Sequence, residues 1–293
     1  MNRQQAQTLR SLMFVPATSP QFIEKAHTRG ADGIIVDLED SIAPAMKQQA
    51  RAALGAAVRA IAAHGLPVFV RVNNDPALLR DDLDAAVQAP IAGVFLPKAE
   101  DPAQIAEVAG WLSASEAAHG VAAASTSLVL LLESPMAIHQ AGALARSHAR
   151  VIAFGFGSED YATLLGVRPT LEAMRMPAYS LALAARAHGL AAWGLAGSIG
   201  EFSDLDLFRA MASTARDAGF TGSISIHPKQ VAVLNEVFGV SAAEAQEAAE
   251  IVAAFDQALA EGKAAVAFKG KMLDIPVVER ARQVVEKAKR ASA

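Results

Sequence analysis

The 293-residue chain contains no cysteine. That excludes a disulfide scaffold, a thiolate zinc site and a cysteine nucleophile. It also lacks a basic balance: the formal net charge is −4, so nothing in the composition argues for nucleic acid. No apolar run reaches the roughly 18 residues of a membrane span without a charge interrupting it. The start, MNRQQAQTLRS, has no apolar h-region of a secretory leader. A cytoplasmic protein is the expectation. Several motifs are missing as well. Gly155-Phe156-Gly157 lacks the third glycine of a dinucleotide fingerprint, and no Walker A, HExxH or G-x-S-x-G pattern occurs. No low-complexity linker divides the chain.

What is there is apolar and regular. Hydrophobic residues make up 53% and the mean hydropathy is +0.27, enough for a large core. Short apolar runs alternate with longer Ala-rich segments. The runs are Leu12–Val15, Gly33–Val36, Val68–Val70, Gly93–Leu96, Leu128–Leu132, Val151–Phe154, Ala191–Ala196 and Ser223–Ile226. Between them helical spacing fits Gln21–Thr28, Ala45–Ala63, Ala77–Gln88, Ala103–Ala118, Met136–Arg146, Ala178–His188 and Leu205–Ala218. An irregular stretch with Pro169 and Pro177 precedes the sixth of these. Near-continuous apolar strands separated by helices indicate a parallel sheet covered on both faces. Eight such units in about 230 residues predict a (β/α)8 TIM barrel rather than an open sheet. Ala-His-Gly recurs at 63–65, 118–120 and 187–189, each time closing a helix before a strand. Glycine suits the left-handed residue past a helix end, and histidine suits the last turn. His64, His119 and His188 therefore read as structural. Residues 1–240 form the expected barrel. Residues 241–293 read as a C-terminal helical extension: helix Ala242–Glu261, loop Gly262–Lys271, helix Ile275–Lys289.

A (β/α)8 barrel places its site at the C-terminal ends of its strands. Read that way, the candidates are Asp37, Glu39, Arg71, Lys98, Glu133, Asp160 and His227. Carboxylates and cations converging on one mouth are costly without a ligand or metal to balance them. Glu133 and Asp160 each follow an apolar strand, and hard carboxylate oxygen suits Mg2+. Capping of helix starts is the other reading of that pair. Arg71 is either a structural ion-pair partner or a clamp for a substrate carboxylate. Lys98 could form a Schiff base, but in a carboxylate-rich mouth an electrostatic role or a salt bridge fits better. His227 reads as an acid–base group or a donor at the barrel top.

These residues sit in recognisable motifs. RSLMFVP (Arg10–Pro16), DLEDSIAPAMKQQAR (Asp37–Arg51), RVN (Arg71–Asn73), LPKAED (Leu96–Asp101) and ES (Glu133-Ser134) occur in order. FGSEDYATLLG (Phe156–Gly166), IHPKQ (Ile226–Gln230) and GKMLDIPVVERA (Gly270–Ala281) follow. Together they resemble the citrate lyase β-subunit-like family of HpcH/HpaI aldolases. The resemblance implies a Mg2+-dependent carbon–carbon lyase, a homo-oligomer such as a trimer or hexamer, acting on 3-hydroxyacyl-CoA thioesters to give a 2-oxo acid. It implies that Glu133 and Asp160 bind Mg2+, that Arg71 contacts the 2-oxo acid, and that Asp37 and Glu39 order metal-bound water. Arg10, Phe14 and Pro16 would lie near the thioester carrier, with Lys98 and His227 also toward substrate. Asp274 would be the acid–base residue, carried by the tail into an active site that a neighbouring subunit could own. The chain departs from the family at Gly222-Ser223, where relatives carry Gly-Lys, and at Ala192–Gly200, which has no aspartate. An aldolase acting on free hydroxy-oxo acids without CoA, or a catalytically silent partner subunit, are the alternatives.

Overall fold

Alternation along each strand sorts side chains onto two surfaces, and the computed structural model, which describes residues 1–263 and 265–292, shows both surfaces buried. The strands are β1 (Ser11–Pro16), β2 (Gly33–Asp37), β3 (Val68–Arg71) and β4 (Gly93–Leu96). They continue with β5 (Ser127–Leu132), β6 (Val151–Phe156), β7 (Ala191–Trp193) and β8 (Ser223–Ser225). They form one parallel sheet in the order β7-β6-β5-β4-β3-β2-β1-β8. A single parallel bridge, Trp193 to Gly222, joins its two ends and closes the (β/α)8 barrel. Residues such as Ile34, Val36, Val70, Leu96 and Leu130 point outward and pack beneath the helices. Leu12, Ile35, Phe69, Phe95, Leu131 and Trp193 point inward and fill the barrel. Phe69, Phe95 and Trp193 meet there with ring centroids 5.4 to 5.9 Å apart. The inside is therefore a packed core and not a channel.

Gly222 has a tight reason to be glycine. A Cβ there would lie 2.2 Å from the Leu9 carbonyl oxygen, at the N-terminal end of β8. Ser223 follows it, fully buried, and opens the strand. The Gly222-Ser223 departure thus sits at the opposite end of the barrel from the strand-end carboxylates.

The helix ends agree with the Ala-His-Gly reading. Gly65, Gly120 and Gly189 all have positive φ (80°, 65° and 69°). His64 stacks on His27 at 3.6 Å, His119 Nε2 meets Asp84 at 2.9 Å, and the His188 carbonyl accepts from Arg3. After β6 the structure differs from expectation. The helix after β6 starts at Leu171, not Ala178, and carries Pro177 inside it. Thr170 caps its first turn, and the buried Pro177 ring offsets the backbone bond it forgoes. A short helix, Ser158–Leu165, also occupies what reads as an irregular stretch.

The chain divides into two compact units, Met1–Phe238 and Gly239–Ala293. In the second, Ser241 and Glu244 form a capping box for helix Ala242–Ala260. The expected loop contains a hairpin instead: β9 (Val266–Phe268) pairs antiparallel with β10 (Lys271–Leu273). Lys269 and Gly270, at φ 45° and 76°, make the two-residue turn that such a hairpin needs. Helix Ile275–Ser292 follows, and Phe255, Leu273 and Val278 form the unit's own small core. Ala264 and Ala293, which fall in the expected extension, lie outside the described residues. No helix among the described residues is long and apolar enough to cross a membrane.

Candidate active site at the strand ends

The inward rows continue upward into charge. Phe69 is followed two residues on by Arg71, Ile35 by Asp37, and Leu131 by Glu133. Pairing in register sets Pro16, Asp37 and Arg71 side by side on β1, β2 and β3. Asp37 is 1% exposed. Its carboxylate accepts from Arg71 Nε and Nη2, both at 2.7 Å. It also accepts from the Glu39 amide, the Ser41 amide and the Ser41 hydroxyl. Five donors fill its hydrogen-bonding capacity. Burial alone pushes the Asp37 carboxyl up, but the bonds and charge of Arg71, with Ser41 and the Glu39 amide, outweigh that and hold it below the ordinary range.

Arg71 is committed by the same contacts. One edge of its fork holds Asp37, while Nη1 reaches Glu39 Oε2 at 3.1 Å and Asp40 at 3.2 Å. The guanidinium lies over the Phe14 ring, 4.4 Å from its centroid. Burial works against its charge, yet three carboxylates raise its pKa above the ordinary value. Phe14 thus underlies Arg71, and Pro16 lies in register beside Asp37.

Glu39 bridges two cations. Its Oε1 meets Lys98 Nζ at 3.1 Å, and its buried Oε2 has no aligned hydrogen bond among the described residues. Burial, aided by Asp40, raises its pKa against the pull of Arg71 and Lys98. Lys98 adopts φ 51°, which turns its backbone N–H onto Glu133 Oε2 at 2.7 Å. Partial burial opposes its charge, but Glu39, Asp40 and Asp160 raise its pKa. A Schiff-base lysine needs the opposite shift, so Lys98 is a fixed cation.

Glu133 is buried among like charges. Burial, then the charges of Glu39 and Asp160, push its carboxyl up to about 8, against the Lys98 amide and Arg71. Gly157 makes room for it: a Cβ there would lie 2.4 Å from Glu133 Cγ and Oε1. Asp160 stands in the first turn of helix Ser158–Leu165, half-buried. Ser158 fastens this turn by donating to the Gly197 carbonyl at 2.7 Å, and Ser198 donates to Glu159 beside it.

Among the described residues no three His, Cys, Asp or Glu side chains stand ready as a metal cluster. Mg2+ does not need one, since it takes one or two protein carboxylates and keeps water and substrate in its other positions. A carboxyl pushed up to about 8, first by burial and then by the charges of Glu39 and Asp160, marks a place short of positive charge. A hard dication fits Glu133 and Asp160.

The remaining candidates are placed differently. His227 closes β8 but serves as the cap of helix Pro228–Val237. Its Nδ1 accepts from the Lys229 amide, and its ring stacks on Phe202 at 5.0 Å. Arg10 is not at the mouth. It precedes β1 and pairs with Asp32, which precedes β2, through bonds of 2.8 to 2.9 Å. Both lie at the N-terminal face, so Arg10 is corrected from a site position to a bottom-of-barrel clasp. Asp274 belongs to the second unit, exposed, with its Oδ1 3.3 Å from the Val277 amide at the start of the last helix. A cleft of 710 Å3 lies elsewhere, between the outer helices around Arg51, Arg80 and Trp111, and it contains none of the strand-end residues. The sequence reading missed Ser41, Lys47, Asn73 and Gly157. All four fall inside or beside the motifs, but only folding shows what they touch.

A filled barrel whose mouth braces buried carboxylates with Arg71 and Lys98 defines a (β/α)8 enzyme. The chain belongs to the HpcH/HpaI aldolase/citrate lyase family, whose model matches residues 10–228, and by class it is a carbon–carbon lyase. It is 33% identical to the L-malyl-CoA/β-methylmalyl-CoA lyase of Cereibacter sphaeroides, over 97% of this chain and 96% of that one. Among solved structures it is similar to CitE of Mycobacterium tuberculosis in complex with magnesium, acetoacetate and coenzyme A (TM-score 0.75, 26% identity, 95% and 97% of the two chains). It is also similar to the citrate lyase β subunit of the same organism complexed with oxaloacetate and magnesium (TM-score 0.62, 26% identity, 81% and 99%).

Proposed function

We propose that the mouth cleaves, or forms, the carbon–carbon bond of a 3-hydroxyacyl-CoA-type thioester, giving a 2-oxo acid and acetyl-CoA or a similar thioester. The observation that carries this is Glu133, buried and pushed to about 8 beside Glu39 and Asp160. Such a site is completed by a dication and a ligand that brings its own charge. Magnesium, coenzyme A and oxaloacetate in the related structures supply that chemistry by analogy.

Glu133 and Asp160 would hold Mg2+, which when bound acts as a Lewis acid for the oxygens of a 2-oxo acid. Arg71, oriented by Asp37 and seated on Phe14, would supply positive charge close to the charge that develops on those oxygens. Lys98 and Glu39 hold a fixed ion pair beside it. Asp274, if delivered to a mouth by the tail, would protonate the enolate carbon of the departing thioester, or take that proton in condensation. Its exposure and its capping bond are compatible with that role, because a capping carboxylate keeps free lone pairs. A homo-oligomer would let one chain's tail serve another's barrel.

The test is direct. Purified protein is given Mg2+ and a panel of malyl-, citramalyl- and free hydroxy-oxo acid substrates, and 2-oxo acid release is followed. Thioester cleavage lost on chelation and in Glu133→Gln supports the reading. Cleavage of free acids alone would replace it with a CoA-independent aldolase.

A further inference from the structure

Lys47 uses its charge in an unusual way. It opens the helix Lys47–Ala62, and its Nζ donates to two backbone carbonyls, Leu38 at 2.9 Å and Glu39 at 2.7 Å. Those are its described partners; neither is a carboxylate. Ordering a flexible, strongly hydrated ammonium against neutral carbonyls costs side-chain entropy and hydration. The arrangement is explained by what the carbonyls belong to, which is the loop that carries Glu39 into the mouth.

A second brace meets the same loop. The Leu38 carbonyl also accepts from Asn73 Nδ2 at 2.9 Å. Asn73 is held in turn by Asp82, through its amide at 3.0 Å and its side chain at 2.6 Å. Asp82, 1% exposed, accepts from Arg51 Nε at 2.8 Å. Lys47 and Arg51 are one helical turn apart, so one outer helix grips the loop both directly and through Asp82 and Asn73. Glu39 in turn fixes Lys98 Nζ and faces Arg71 Nη1.

We propose that Lys47 is a positioning residue for Glu39, with Arg51, Asp82 and Asn73 as its second support. The effect on turnover rests on the lyase reading; the effect on the loop does not. Lys47 sets where the Glu39 carboxylate stands, and through it the spacing of the two cations at the mouth.

Two measurements test this. Hydrogen exchange of the peptide spanning residues 37–46 should speed at least about tenfold in Lys47→Met, where the donor is gone, and return toward wild type in Lys47→Arg. In turnover, Lys47→Met should lower kcat by about 10²-fold, as misplacing a site group does, while KM and calorimetric Mg2+ affinity stay within about twofold. In a Glu39→Gln background the same change should add almost nothing, because it acts through Glu39. Unchanged exchange in Lys47→Met, or a full additional loss in the Glu39→Gln background, overturns the proposal. If no thioester is cleaved by the wild type, the lyase reading fails and exchange alone decides Lys47. Should Lys47→Met not fold, Lys47→Gln gives the same comparison.

Discussion

Glu133 should make the metal-free protein less stable as the solution becomes more alkaline. Its carboxyl stands at about 8 in the fold against an ordinary value of 4.5. A raised pKa contributes stability that is complete below the unfolded value and is lost as pH rises through the folded one. The window is therefore about pH 4.5 to 8. Each unit is ~1.4 kcal/mol, so the loss approaches roughly 4–5 kcal/mol by pH 8.5, somewhat less where Glu39 shares the charge. Glu133→Gln keeps the shape and cannot ionise, so its stability should stay flat across that window by comparison. Denaturant unfolding in chelator at several pH values, wild type beside Glu133→Gln, reads this difference. Mg2+ at pH 8 should restore the wild type and move the variant far less, since the variant keeps Asp160 but has lost the Glu133 carboxylate as a ligand. Parallel pH curves for the two proteins would refute the argument that burial and neighbouring carboxylates strain this group.

Gly157→Ala should act on the same residue sterically. A Cβ 2.4 Å from Glu133 Cγ forces the carboxylate aside, so calorimetric Mg2+ affinity should fall at least about tenfold while the circular dichroism spectrum is kept. Arg71→Lys loses the two-pronged bond to Asp37, and oxaloacetate binding should weaken by at least about tenfold; unchanged binding removes Arg71 from substrate contact. Asp274→Asn separates cap from catalyst. Asn caps as well as Asp, so a near-silent change leaves only the cap, whereas a loss of ~10²–10⁴ in kcat marks acid–base work. Mixing that variant with Glu133→Gln should recover partial turnover if the tail serves a neighbouring barrel.

Much of the barrel was legible because its strands are buried on both faces. The run SLVLLL of β5 has no alternation to interrupt it, and the Ala-His-Gly closures announce three helix ends. The candidate mouth was legible because strand ends are punctuated by charge. Its internal wiring was not. Lys98 meets Glu39 across 59 residues and meets Glu133 with its backbone, through a φ of 51° that no local pattern announces. Asp37 was expected to order metal-bound water, but no local pattern announces the five donors from Arg71, Glu39 and Ser41 that meet its carboxylate. Arg10 shows the opposite lapse. It stands before its strand and Phe14 and Pro16 stand late in it, so strand polarity alone separates them. Pro177 was read as a breaker because propensity weighs the lost backbone bond and cannot weigh a buried ring. The hairpin at Lys269-Gly270 hid in a segment of mixed polarity too short for any period to show.

The ring of strands has one weak join. Between β7 and β8 a single bridge stands where the other neighbours share three to five residue pairs. The first strand, moreover, lies between the second and the last: Ser11 pairs with Ser223, more than two hundred residues later. During synthesis the sheet must therefore wait, with one flank of β1 unpaired until nearly the whole barrel has been made. Contacts of such sequence separation form late, and an unpaired strand flank invites the wrong partner. Ring closure thus rests on the last strand made, at whose start Gly222 leaves no room for a Cβ beside the Leu9 carbonyl oxygen. Bulk placed at that glycine would be felt as product trapped in an open, aggregating form long before it was felt as slow catalysis.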